Sequence, residues 1–225
     1  MATSIILLTV SLAIQALAQN SYSANLTVSF SPATLDNCVS NGSTEAIIFT
    51  TSSIPLSYQC FNIEDLFDCL NASTSWGSRT TESASRTYTS EEISWRVFNA
   101  NSYFTQTNYS RIWYQQQNFA SPKQGEDAAR IFEVFSGRDC HQTGSSNEAV
   151  YPILGWTCES SANGECYEAP YNIMSFQIGS AAAVNSAAKK CWVASTGSAA
   201  ERFSGSKTAA TVGAAAILAA GMLSW

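Results

Sequence analysis

Between an apolar start and an apolar end, hydrophobic residues recur in short alternating bursts. These bursts set the expectation for the fold. Residues 24–30 alternate loosely and predict a first strand, and 45–50 is an apolar run of strand length. Residues 55–61 predict another, with Pro55 at its start, where a missing N–H does least harm. Ile93, Trp95 and Val97 fall on one face of a strand, with Ser94 and Arg96 on the other. The clearest strands are 111–115 and 130–135. A turn-rich connection with Pro122 and Gly125 makes them candidate antiparallel neighbours. Residues 103–105 predict a short strand. Residues 171–178 alternate well, with Asn172, Met174, Phe176 and Ile178 on one side, and 191–193 would close the series.

Two segments read as helices. One is 62–70, with Asn62 as cap and acids in the first turn. The other is 181–188, rich in alanine. Residues 71–90 are dominated by Ser, Thr and Gly around Trp76 and predict a long surface loop. Eight to ten short strands separated by turn residues predict a single all-β domain, an antiparallel sandwich of Greek-key-like type.

The two ends predict an address. Residues 5–14 form an apolar run, followed by Ala16-Leu17-Ala18, the pattern of a cleaved secretory signal. The mature chain should then begin at Gln19. At the other end come small residues at 195–200, a charged spacer at 201–207 and an uncharged apolar run at 208–225. That order is the signal for exchange of the tail for a glycosylphosphatidylinositol anchor. Ser198 is the expected attachment residue, with Gly197, Ser204 and Gly205 as alternatives. The chain thus divides into a signal at 1–18, an extracellular β domain at 19–192, a spacer at 193–207 and a removed tail at 208–225. The expected location is the outer face of the plasma membrane or the cell wall. The membrane, through the lipid, is the expected partner, with wall polysaccharide as a second candidate.

Composition fits that compartment. Acidic residues outnumber basic ones 17 to 11, for a net charge of −6. Such a surface excludes nucleic acid as a partner, because phosphate contacts need clustered cations. Seven cysteines in an exported chain read as a disulfide framework with one left over. The turn-rich segment between Cys158 and Cys166 favours a bridge there. Cys38, Cys60, Cys69, Cys140 and Cys191 remain open as to partner. There is no C-x-x-C and a single histidine, so no zinc site and no cofactor is expected. Sequons at Asn25, Asn41, Asn71 and Asn108 predict N-glycosylation.

Catalytic motifs are missing from the sequence. No G-x-S-x-G elbow exists, and His141, beside Cys140, reads as an exposed turn residue. Carboxylates that could pair for glycoside hydrolysis are many: Glu64, Asp65, Asp68, Glu91, Glu92, Glu126, Asp127, Glu133 and Asp139. Glu133, mid-strand between apolar neighbours, is expected to face solvent. No catalytic residue is assigned. Trp76 has only polar neighbours, so it is a candidate for stacking on sugar rings, as are Tyr109, Trp113 and Tyr114.

The run 132–140 (FEVFSGRDC) resembles a strand–turn–Cys element of small secreted fungal proteins. So do Trp156-Thr157-Cys158, Gly164-Glu165-Cys166 and the strand 171–178 with Ser175-Phe176. With its two ends, the chain looks like a fungal, lipid-anchored cell-surface protein. The resemblance implies a disulfide-stapled β domain and a compartment rather than a reaction. The expected function is therefore non-catalytic surface display. A carbohydrate-binding or adhesion module and a wall-polysaccharide hydrolase are the alternatives.

Overall fold

A computed structural model describes residues 25–38, 44–68, 74–81, 91–118, 122–144 and 150–196. The expected signal at 1–18 and the expected tail at 208–225 lie outside these residues, as do Ser198, Gly197, Ser204 and Gly205. So do Asn41, Asn71 and Cys69.

The alternating bursts pair into two antiparallel sheets. The first contains β1 (Leu26–Pro32), β2 (Ile47–Thr51), β4 (Thr74–Thr81), β5 (Glu91–Phe98), β6 (Tyr109–Gln116) and β9 (Glu165–Glu168), in the order β4-β5-β2-β1-β6-β9. The second contains β3 (Gln59–Asn62), β7 (Asp127–Phe135), β8 (Leu154–Cys158), β10 (Ser175–Ser180) and β11 (Ser195–Thr196), in the order β11-β8-β7-β10-β3. Two short helices complete the described residues, α1 (Ile63–Phe67) and α2 (Ala182–Ala188).

The core lies where the sheets face each other. Phe30 and Phe49 of the first sheet meet Phe176 of the second at ring-centroid distances of 5.5 and 5.0 Å. Tyr114 packs on Phe132 and Trp156 across the same gap. Period-2 alternation places these rings inward, because successive side chains of a strand point to opposite faces.

Several expectations change. The segment around Trp76 is strand β4, paired with β5 over its full length from Thr74↔Phe98 to Thr81↔Glu91. Threonine and serine suit a strand whose outer face meets water, and composition alone hid the partner. The segments 111–115 and 130–135 fall in opposite sheets: β6 pairs with β1 and β9, whereas β7 pairs with β8 and β10. Residues 103–105 are not a strand; a 3-10 turn, Ala100–Ser102, follows left-handed Asn99, and Tyr103 stacks on Tyr109 at 5.6 Å. The closing strand is Ser195–Thr196 rather than 191–193. β3 begins at Gln59, so 52–58 is a connection between the sheets.

Three bridges staple the sandwich: Cys38–Cys166, Cys60–Cys140 and Cys158–Cys191. The expected Cys158–Cys166 bridge is not formed. Cys158 ends β8 in the second sheet and Cys166 sits in β9 of the first. The loop between them thus crosses from sheet to sheet instead of closing a hairpin.

One buried polar network holds the end of the sandwich where β6 and β7 meet. Arg130 is fully buried and donates from Nε to Ser53 O (2.6 Å), from Nη2 to Ser52 O (2.5 Å) and from Nη1 to Gln116 Oε1 (3.2 Å). Gln116 Nε2 donates to Tyr114 Oη and to Arg130 O. Tyr114 Oη donates in turn to Cys158 O (2.8 Å). Arg130 therefore ties the 52–58 connection to both sheets. Burial pulls the Arg130 guanidinium down to about 10 and pushes the Tyr114 phenol up.

An alkaline unfolding transition follows. Tyr103, Tyr109, Tyr114 and Tyr167 are all raised above the ordinary value of 10, chiefly by burial. In the unfolded chain these phenols ionise first, so the stability they lend is full below about pH 10 and is lost as pH rises through their folded values. Arg130 acts the other way, because the unfolded chain keeps its proton longer. Four phenols outweigh one guanidinium, so stability should fall above pH 10. Phenolate absorbance should appear together with loss of the β-sheet circular dichroism. Full phenolate titration at the ordinary value with the fold intact would contradict this.

Candidate functional site

Two surfaces gather unspent chemistry, one on the outer face of the first sheet and one at the mouth between the sheets. On the outer face, β4 and β5 place Trp76 directly opposite Arg96. Trp76 is 72% exposed. The Arg96 guanidinium lies over the Trp76 ring at 4.5 Å and over the Phe98 ring at 4.7 Å. It makes no ion pair among the described residues, and its Nε is buried without a hydrogen bond. Thr50, opposite Arg96 on β2, shares a hydroxyl hydrogen bond of 2.9 Å with Thr27. The result is an outer sheet face with one indole, one stacked cation and two hydroxyls.

The other three aromatic candidates do not face solvent. Tyr114 is 0% and Tyr109 3% exposed, and both hydroxyls are hydrogen-bonded inside. Trp113 points outward from β6 but is 7% exposed, because the 161–164 turn folds over it. Its Nε1 donates to Asn163 O, and Gly164 leaves no room for a Cβ, which would come 2.3 Å from the indole. Sequence spacing could not show what covers the face that Trp113 occupies.

The mouth lies where edge strands β3 and β4 of opposite sheets come together. It is a groove of about 410 Å³ lined by Cys60, Phe61, Asn62, Asp65, Leu66, Arg79, Trp95 and Asp139. Trp95 meets Phe61 edge-on at 5.0 Å. Arg79 reaches across from β4, 5.1 Å over the Phe61 ring, and donates to Cys60 O at 3.0 Å. The turn after β7 brings in Asp139, held by Cys60–Cys140 and by Ser175 Oγ, which donates to Gly137 O. Asn62 stands at the cap position of α1 as expected, yet its side chain does not cap. Instead Nδ2 donates to Asp65 (2.8 Å) and Asp139 (2.9 Å), and Oδ1 accepts from Asp139 N.

Two carboxylates within reach of one amide invite a hydrolase reading. Asp65 does not fit the role of acid in such a pair. A glycosidase needs one carboxyl kept protonated as general acid. Asp65 is held below the usual carboxylate range by the Asn62 and Arg138 hydrogen bonds. Glu133, expected to face water, is 7% exposed and accepts from Gln177 Nε2 at 2.6 Å. The outer face of the second sheet is itself covered: the Tyr58 ring lies so close over Gly179 that a Cβ there would meet it at 2.8 Å. His141 is an exposed turn residue as expected, its Nδ1 2.7 Å from Asp139 O.

Two of the four sequons are described, and Asn25 and Asn108 are both exposed. Among the described residues there is no group of three or more potential metal ligands and no helix long and apolar enough to cross a membrane. No family model, no curated protein and no solved structure matches this chain.

Proposed function

We propose that the chain is exported, trimmed at both ends and tethered by a lipid at the cell surface, where it binds carbohydrate without hydrolysing it. The address rests on the two terminal signals, the disulfides and the two exposed sequons. The binding reading rests on one observation: Trp76 is exposed on the outer sheet face with Arg96 stacked against it and in no ion pair among the described residues. An indole offers a sugar ring an apolar face, and the adjacent guanidinium N–H groups suit its hydroxyls. The ladder of rings fixes Arg96 in place, so little side-chain freedom is lost on binding.

One experiment covers both parts. The full chain is displayed on cells, released with phosphatidylinositol-specific phospholipase C and applied to immobilised glucan, chitin and mannan. Release and retention on at least one polysaccharide are expected, and Trp76→Ala should weaken retention about tenfold or more. Failure of release sinks the anchor. Absence of binding to all three, or equal binding by the variant, sinks the carbohydrate face.

A further inference from the structure

We infer that the groove between β3 and β4 binds an ω-amino carboxylate, the chemistry that a C-terminal lysine presents. The groove holds two opposite charges, Arg79 and Asp139, and neither is in an ion pair among the described residues. Arg79 forms no ion pair among the described residues; it spends one N–H on Cys60 O and rests on Phe61 and Trp95. Among the described residues, the Asp139 carboxylate accepts one hydrogen bond, from Asn62 to Oδ1, and its other oxygen accepts none. The neighbouring cation, Arg138, forms its ion pairs with Glu64 and Asp65 and acts on Asp139 only through the longer-range charge interaction.

The spacing selects the ligand. Arg79 is anchored at Cys60 and Asp139 at Asn62, two residues further along the extended strand β3. Two strand residues advance about 7 Å. An α-amino acid carries both charges on one carbon and cannot reach across. A chain of about five methylenes can, with its carboxylate on Arg79 and its ammonium on Asp139. Half-buried Trp95 and Leu66 line the same groove and offer the methylenes apolar surface. Both binding groups sit on rigid supports: a disulfide fixes the Asp139 turn, and two rings hold Arg79.

The test is calorimetric titration of the purified full chain with ε-aminocaproate. Hexylamine, hexanoate and glycine serve as controls. Two peptides, one ending in lysine and one in lysine amide, separate a protein terminus from a free small molecule as the source. Binding of ε-aminocaproate is expected, with loss of about tenfold or more when either charge is missing. Arg79→Gln keeps a donor for Cys60 O, and Asp139→Asn keeps the acceptor for Asn62 and tolerates the left-handed backbone there (φ 54°). Each variant should lose about tenfold in affinity with an unchanged thermal midpoint, and Trp76→Ala should leave affinity unchanged. No binding of ε-aminocaproate by the wild type at about 10 mM, or equal binding of hexylamine or hexanoate, overturns the inference.

Discussion

Phe176→Ala should lower the unfolding free energy by about 4 kcal/mol, the largest loss expected from a single side chain here. Phe176 is fully buried and touches rings from both sheets: Phe30 at 5.5 Å, Phe49 at 5.0 Å, Phe61 at 5.3 Å and Phe132 at 5.8 Å. Truncation removes the transfer free energy of the ring and leaves a cavity that four other aromatics must line. Strands on either side of β10 are hydrogen-bonded to it, so the backbone has little freedom to close the gap. Denaturant titration of the oxidised protein measures the change as a shift in midpoint at constant slope. A loss below about 1.5 kcal/mol would mean that the neighbouring rings repack, and that the sandwich is less tightly interlocked than these contacts indicate.

Removing disulfides should give a graded result. Cys38–Cys166 spans 128 residues and Cys158–Cys191 spans 33. In the chain-entropy account, cross-linking the longer span restricts the unfolded state more, by about 5 kcal/mol against about 4. The paired Cys38→Ala, Cys166→Ala variant should therefore be the less stable of the two by about 1 kcal/mol. Chemical denaturation of both variants measures the order. Peptide mapping without reduction measures the pairing directly, and a fragment joining Cys158 to Cys166 would refute the arrangement described above. The reverse order of stability would mean that native-state contacts around Cys158, which sits beside the Tyr114 network, outweigh loop length.

The groove and the outer face were legible in the sequence to different degrees. Trp76 stood out because nothing apolar surrounds it in the chain, and the fold leaves it exposed. Arg96 reads as a strand residue, but its stacking on Trp76 depends on β4 being a strand at all. Ser- and Thr-rich composition concealed that. The groove left no local signal. Its members come from β3, α1, β4, β5 and the turn after β7, and Asp139 and Asn62 meet across 77 residues of sequence. Arg130 likewise reads as an ordinary polar residue opening a strand, and only its burial shows it to be a tie between sheets.

Period-2 alternation, turn residues and an odd cysteine count in an apolar-flanked chain were enough for an all-β, disulfide-stapled domain. Those signals are local: each is set by which way a strand residue points or by which residues tolerate a turn. Pairing is not local. Which sheet β6 and β7 joined, which cysteines met, and whether Trp113 or Glu133 saw water were all decided by strands folding back over long distances. A side chain's exposure depends on what packs over its face, and that covering came from segments far away in the chain.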